Sequence, residues 1–424
     1  MTIPTASPDP FCCNSKAKVA LAMLLPVDIA LRKGLALART VAEVEQLPLE
    51  RAHGRILAQA IEAKISLPLF DNSAVDGYGI CLADLSGDGP WRLPVAGRIA
   101  AGDAGSQPIA AGVAVRIFTG APVPLGCDAV VMQEMTVREG DTIHLGRRPD
   151  PGENIRRAGE DIVKGARLLP EGRCIDPRAA ALLAASGCGE VVVRRRVRVV
   201  FFSTGSELRA PGARLAPGQI WNANRYHLQG ALDRPWVKAI DMGAISDQPD
   251  RLREALEEAS LKADLVVTTG GVSVGEEDHM PAILRAAGGT VEVMKVAMKP
   301  GKPLIIGKIG AALYIGLPGN PVATFVTWHV IGARIAEKLA GLDGAAPQRI
   351  LVKAGFERTR QPGRCEFLPA RLGDSDSYGI RTVEIATASP SHRVALLAQA
   401  DGLALIPAES ERVEPGEMLE FLPF

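Results

Sequence analysis

The sequence predicts a multidomain α/β protein: a doubly wound, mostly parallel sheet domain, an inserted β-rich domain, a helical or mixed N-terminal domain and a small β-barrel-like C-terminal domain. Three observations carry this. The chain has 424 residues, beyond the roughly 250–300 at which a single hydrophobic core stops growing. After Val191, short apolar runs alternate with helical patterns of the length that βαβ units require. Its 44 Gly and 31 Pro imply many tight turns and short strands elsewhere.

The elements follow in order. Residues 1–22 read as a loosely ordered tail, since the apolar stretch Val19 to Leu25 is too short for a membrane span. From Val27 to Ala38 the spacing of Val27, Ala30, Leu31, Leu35 and Ala38 predicts an amphipathic helix opened by Pro26. Segments 23–66 and 149–190 are expected to form one discontinuous unit, with 67–148 inserted as a β domain of short runs such as Gly112 to Phe118 and Ala129 to Gln133. Asp176-Pro177 supplies an N-cap and a first-turn proline for a helix to Ala185, closed by Gly187.

Within 191–341 the sequence predicts strands at Val197 to Phe202, Val237 to Asp241, Leu265 to Thr268 and around Val291, Leu304 and Leu313. Helices are expected near Asn224 to Leu232, Pro249 to Leu261 and Pro281 to Ala286, and from Asn320-Pro321 to about Leu339. Residues 342–424 return to short strands. No internal repeat or low-complexity tract is evident.

Composition excludes some functions. With 48 basic and 48 acidic residues no global field draws the protein to nucleic acid or anionic lipid, so the expected partner is a small molecule. The cluster Arg194-Arg195-Arg196 with Arg198 lacks interleaved aromatics and reads as a solvated strand entrance. Seven cysteines, never spaced as CxxC, suit a reducing cytoplasm better than a disulfide framework.

The chemistry gathers in four glycine turns that follow apolar runs: Ser203-Thr204-Gly205-Ser206-Glu207, Thr268 to Asp278, Lys299-Pro300-Gly301-Lys302-Pro303 and Gly316-Leu317-Pro318-Gly319-Asn320-Pro321. In open α/β sheets, loops leaving the strands' carboxyl ends line one crevice, which makes these four turns one expected site. Glu207, Asp247 and Asp278 fall just past strand ends, where carboxylates can hold Mg²⁺, and Mg²⁺ can bridge phosphate oxygens. Each alone also reads as a helix cap. Lys295, Lys299 and Lys302 bracket a Pro-Gly turn and suit an oxyanion. Gly271-Val272-Ser273-Val274-Gly275 matches the serine nucleophile elbow, yet the intervening Glu276-Glu277-Asp278 separates it from the helix, so serine hydrolysis ranks below ligand cradling. Polar turns at Phe70 to Tyr78, Phe118 to Pro122 and Asn154 to Asp161 have Asx-turns as a plain alternative.

Taken together, Phe70-Asp71-Asn72-Ser73-Ala74-Val75-Asp76-Gly77-Tyr78, Thr119-Gly120-Ala121-Pro122, Asn154-Ile155-Arg156-Arg157, Gly159-Glu160-Asp161, Ser203-Thr204-Gly205, Gly270 to Gly275, Lys299 to Pro303 and Leu317 to Pro321 resemble the MoeA family of molybdopterin molybdenumtransferases, related to the gephyrin E domain. Pro362-Gly363-Arg364 and Ser391-His392 extend the match. The resemblance implies a MogA-like molybdopterin-binding domain at 191–341 and a cytoplasmic homodimer that inserts molybdate into adenylylated molybdopterin, releasing AMP with Mg²⁺ assisting. Other proteins of molybdenum cofactor synthesis and cofactor acceptors would be its partners, with no nucleic acid or membrane.

By the same resemblance, Asp76, Thr119, Asp161, Glu207, Asp247 and Asp278 are expected to be catalytic, with Glu207, Asp247 and Asp278 as metal ligands. Arg156, Gly270, Gly271, Ser273, Gly275, Lys295, Lys299, Lys302, Pro318, Asn320, Arg364 and Ser391 are expected to bind substrate. Ser206, Asn222 and His279 depart from the commoner residues, and Ser206, in place of a frequent aspartate, is expected to weaken metal binding or leave it to Glu207. Two alternatives are a non-catalytic gephyrin-like scaffold and a molybdopterin adenylyltransferase.

Overall fold

A computed structural model describes residues 24–104, 108–272, 279–343, 348–385 and 393–424. The expected tail at 1–22, together with Cys12 and Cys13, lies outside them. At the centre is a six-stranded sheet ordered Val237–Ile245, Val197–Thr204, Leu265–Thr269, Ala312–Leu317, Pro303–Ile309, Thr290–Lys295. The first four strands run parallel, while Pro303–Ile309 runs antiparallel to both its neighbours. Strands buried on both faces need unbroken apolar runs, and Val199, Val200, Phe201 and Phe202 supply one with no more than 1% exposure at any of them.

Two apolar layers cover this sheet. One face packs Val200, Phe202 and Val266 against Leu252, Leu256 and Ala259 of the helix Pro249–Lys262. The other packs Val199, Phe201 and Val267 against Leu228 and the helical run that starts at Pro321. That run continues through a π-helical turn, Trp328–Gly332, into Ala333–Ala340. The helix Val27–Leu37, which the sequence groups with the discontinuous unit, packs against this second layer. Its Gly34 abuts Ile335 so closely that a Cβ there would lie 2.5 Å from the isoleucine Cδ1.

Chain segments on either side of the insertion pair with each other: Val44–Pro48 with Glu190–Arg194, and Ile61–Glu62 with Arg167–Leu169. They enclose a small core of Leu57, Ile175, Leu183 and Val193. The insertion forms a six-stranded sheet ordered Ala129–Met132, Gly77–Ile80, Ala114–Ile117, Trp91–Ile99, Thr142–Leu145, Thr136–Glu139.

At the other end, Cys365–Ser375 pairs with Arg381–Ile385 on one side and Gly402–Ile406 on the other. Ile350–Ala354 and Met418–Pro423 complete the ring, so five strands close on themselves. Closure removes the open edges that an isolated small sheet would expose. The two-residue strand Met298–Lys299 anneals to this barrel at Cys365 and Glu366.

The arginine cluster is not the solvated entrance its composition suggests. Arg195 and Arg198 both bind Asp264 at 2.7–3.0 Å, and Arg194 bonds the Val41 carbonyl and pairs with Glu171. The long side chains are used to tie strand starts together.

Candidate functional site

The carboxyl ends of the parallel strands open into a cleft of about 910 Å³. Thr204 closes the strand Val197–Thr204, and Thr269 closes Leu265–Thr269. Asp247 follows Val237–Ile245, and Pro318, Gly319 and Asn320 follow Ala312–Leu317. The edge expected from sheet topology is therefore where these residues lie. Pro303 reaches the same edge by another route. Its strand runs antiparallel, so the amino end of that strand, and the lysine turn before it, face the cleft side of the sheet.

Glycine is required at the cleft floor. Gly270 has φ +92°, and a Cβ there would lie 2.7 Å from both the carbonyl oxygen and Oγ1 of Thr204. Behind the floor, Thr269 Oγ1 donates to Ser203 Oγ at 3.0 Å, and Ser203 Oγ donates to Asn222 Oδ1 at 3.2 Å. Asn222 also caps the helix Ala223–Ala231 by accepting the Arg225 N–H at 3.1 Å, which holds its side chain in place. Asn224 donates to the Gly319 carbonyl at 2.7 Å and so bridges that helix to the Pro318–Asn320 turn.

Three buried atoms in this wall lack a partner: Thr204 Oγ1, Asn222 Nδ2 and Asn224 Oδ1. Burying such groups unpaired costs about 1–3 kcal/mol each, so a ligand or water that bonds them gains what the fold forgoes.

Two carboxylates border the cleft. The Asp247 Oδ2 accepts the Ser206 N–H at 2.8 Å, while the Ser206 Oγ accepts the Asp247 N–H at 3.3 Å. Ser206 therefore holds Asp247 through a reciprocal pair, a role that the sequence does not reveal. No hydrogen bond or ion pair engages the Glu207 carboxylate among the described residues, and it is exposed. Two hard oxygen donors of this kind fit Mg²⁺, which commonly takes one or two carboxylates and completes its shell with phosphate oxygens and water. No cluster of three or more metal-binding side chains forms among the described residues. Asp278, the third expected ligand, lies outside them, as do Ser273, Gly275 and Ser391.

The remaining residues form two further groups. Lys295 ends the strand Thr290–Lys295 opposite Pro303, and Lys302 is exposed beside it. Lys299, by contrast, is already paired: its Nζ lies 3.0 Å from Glu366 Oε1. Glu366 is 1% exposed and also meets Arg358 Nε at 2.9 Å and Arg360 Nε at 3.5 Å. Burial pushes its carboxyl upward, but the Lys299 hydrogen bond and the charges of Arg358, Lys299 and Arg360 bring it below the ordinary glutamate value. Arg364, two residues before Glu366, accepts a hydrogen bond from Arg360 at its carbonyl.

In the N-terminal half, Asp76 Oδ1 accepts both the backbone N–H and the hydroxyl of Thr119, at 2.8 and 2.7 Å. Those bonds, backbone first, hold the Asp76 carboxyl below its usual range. Ile155 and Arg156 pair with Ser73 and Asn72, Arg157 and the Ala158 N–H bind Asp71, and Asp161 donates its N–H to the Leu67 carbonyl. The three polar turns thus frame one another. None of Asp76, Thr119, Arg156 or Asp161 borders the cleft, whose described lining comes wholly from residues 204–321. In the sequence Thr204 is only one member of a glycine turn, Asn224 only a helix start, and Trp221 carries no motif; the burial of their unpaired atoms, visible only in three dimensions, is what marks the first two.

Family models match in sequence order along the chain: the MoeA N-terminal region (domain I and II) over 25–187, a probable molybdopterin binding domain over 201–337, and the MoeA C-terminal region (domain IV) over 352–424. The chain belongs to the MoeA family. Relatives named molybdopterin molybdenumtransferase include that of Haemophilus influenzae, 36% identical over 95% of this chain and 99% of its own. That of Nostoc sp. is 35% identical over 88% and 87%. Among solved structures, a molybdopterin biosynthesis MoeA protein from Pyrococcus horikoshii covers 95% of this chain and 100% of its own, with TM-score 0.80 and 29% identity. The cleft described above lies wholly within the second of these regions. No helix among the described residues is long and apolar enough to cross a membrane.

Proposed function

We propose that this MoeA-family chain is a molybdopterin molybdenumtransferase that takes adenylylated molybdopterin and molybdate and gives molybdenum cofactor and AMP. The transferase class rests on full-length relatives of that name. The finer reaction rests on one observation: the cleft joins two carboxylates, Glu207 and Asp247, to a glycine floor and a wall of unpaired buried polar atoms. An anionic, nucleotide-linked ligand with a polar ring matches both halves of that lining.

Glu207 and Asp247 would hold Mg²⁺ in this cleft, with Asp278 as the third carboxylate. Bound there, the ion would withdraw charge from the phosphate oxygens of the substrate. The chain's own groups do the rest. Ser206 fixes the orientation of Asp247, Gly270 and Gly271 let the phosphate-bearing part approach the backbone, and Asn224 locks the Pro318–Asn320 turn against the helix Ala223–Ala231. Lys295 and Lys302 supply positive charge at the same sheet edge for the molybdate oxyanion, and Arg364 and Ser391 are assigned to the same anion. Lys299 acts through its pair with Glu366.

Asp76, Thr119, Arg156 and Asp161 do not reach the cleft of their own chain, so in this reading they complete the cleft of a second subunit in a homodimer, set in the cytoplasm. The test supplies purified protein with adenylylated molybdopterin, Mg²⁺ and molybdate and follows AMP and active cofactor together. Absence of both products would leave the scaffold reading; conversion of unmodified molybdopterin with ATP would favour the adenylyltransferase.

A further inference from the structure

Asp76 stands at the head of the strand Gly77–Ile80, which pairs antiparallel with Ala114–Ile117 so that Tyr78 lies opposite Arg116. The Arg116 Cζ is 5.0 Å from the centre of the Tyr78 ring and 4.8 Å from that of Phe118. A guanidinium seated against two rings is attracted by their π faces, and its planar fork loses little freedom when it then bonds.

From that seat Arg116 reaches the main chain around Asp76 in two ways. Its Nη1 donates to the Gly77 carbonyl at 3.3 Å, and its Nη2 donates to Gln133 Oε1. Gln133 in turn donates its backbone N–H to the Asp76 carbonyl at 3.1 Å. Two successive carbonyls are therefore tied to one side chain. The chain has no room to shift there, since a Cβ on Gly77 would lie 2.0 Å from the Val131 carbonyl oxygen. Thr119, three residues after Arg116, holds Asp76 Oδ1 through both its N–H and its hydroxyl.

Arg116 also balances charge. Asp76 is kept below its usual range by the Thr119 bonds first and the Arg116 charge last, and Glu134 by its bond from Gln133 first, with Arg116 offsetting the repulsion from Asp76. Arg98, exposed with its Cζ 4.6 Å from the Phe118 ring centre, shares the aromatic seat but bonds neither carbonyl.

We propose that Arg116 is a positioning residue for Asp76, tying the main chain through Gly77 and Gln133 so that the carboxylate and Thr119 are presented together to the cleft of the second subunit. The proposal deepens the transferase reading and rests on it.

The experiment supplies the full chain with adenylylated molybdopterin, Mg²⁺ and molybdate, follows AMP release, and measures backbone hydrogen exchange by mass spectrometry beside it. Arg116→Met is expected to lower kcat about 30-fold, as misplacement of a reacting group does, with KM within about threefold of wild type. Arg116→Lys keeps the charge but not the fork, so a loss of about tenfold is expected; it decides the matter where Arg116→Met fails to fold. Arg98→Met should stay within about threefold of wild type, because only an exposed ring contact is lost. In an Asp76→Asn background, Arg116→Met should lower kcat by less than about threefold more, since nothing is left to position. The backbone amides of Thr119 and Gln133, both bonded to Asp76, should exchange at least about fivefold faster in Arg116→Met.

Wild-type kcat in Arg116→Met, a loss confined to KM, an equal loss in Arg98→Met, or losses that multiply in the double variant would each overturn the proposal. The two readings fail separately. A wild-type protein that releases no AMP removes the transferase, and hydrogen exchange still decides whether Arg116 holds Asp76, unchanged rates overturning it. Normal AMP release by wild type and by Arg116→Met alike leaves the transferase and removes the positioning residue.

Discussion

Lys299 Nζ stands 3.0 Å from the buried carboxylate of Glu366, joining the lysine turn at the sheet's cleft edge to the wall of the C-terminal barrel. Lys299 is 44% exposed at its side chain and Glu366 only 2%, so the two ends of the pair are unequal. Removing the buried end strands three cations, Lys299, Arg358 and Arg360, beside a neutral group. Glu366→Gln is therefore expected to cost about 3–5 kcal/mol. Lys299→Met leaves Glu366 with its arginines and is expected to cost about 1 kcal/mol. Urea unfolding of both single variants and the double variant measures the coupling; equal losses from the two would contradict this ordering.

Gly270 is held at φ +92° against Thr204. Gly270→Ala must adopt a left-handed backbone and also displace the Thr204 carbonyl and hydroxyl. A loss of about 1–3 kcal/mol is expected, with AMP release reduced at least tenfold because the cleft floor moves. A variant with wild-type turnover would show that the floor does not contact the reacting part of the substrate.

Asp247 is oriented by Ser206. Asp247→Asn is expected to lower AMP release about 100-fold, or roughly 2.7 kcal/mol of barrier, with little change in stability because the group is partly exposed. Ser206→Asp sets a further carboxylate beside Glu207 and is expected to lower the Mg²⁺ concentration needed for half-maximal activity. A rise in that concentration would mean that the hydroxyl's grip on Asp247 matters more than added charge.

The Asp264 cluster sets an acid limit on stability. Burial opposes ionisation of Asp264, but hydrogen bonds from Arg195 and Arg198 outweigh it and draw the carboxyl from 3.8 down to about 2. A folded value below the unfolded one means the contribution is complete above about pH 4 and is lost as pH falls towards 2. It amounts to ~2 kcal/mol for this side chain, 14% exposed. The difference in urea midpoint between wild type and Asp264→Asn should therefore be constant from pH 7 to 5 and shrink below pH 4. A difference that grows on acidification would reverse the sign assigned here.

Much of this architecture was legible in the sequence, for identifiable reasons. Doubly buried strands need unbroken runs such as Val199 to Phe202, and helix starts such as Asp176-Pro177 carry their caps with them. The antiparallel course of Pro303–Ile309 was not legible, because a fully buried strand has the same apolar run whichever way it points. The placement of the helix Val27–Leu37 escaped because periodicity names a buried face and not its partner. At the site, glycine turns and acids were visible as motifs. The engagement of Lys299 by Glu366 was not, since 67 residues separate them. Nor was the wall of Thr204, Asn222 and Asn224, because an amide reads as a turn or cap residue until its second hydrogen-bonding atom is seen to lack a partner.

The two-residue strand Met298–Lys299 lies within the doubly wound segment of the chain but is hydrogen-bonded into the barrel. Chimeras built by exchanging barrels between relatives at a junction near 343–350 would therefore divide a shared seam, pairing a foreign wall with a resident strand. A graft that carries residues 296–303 along with its barrel keeps that seam whole.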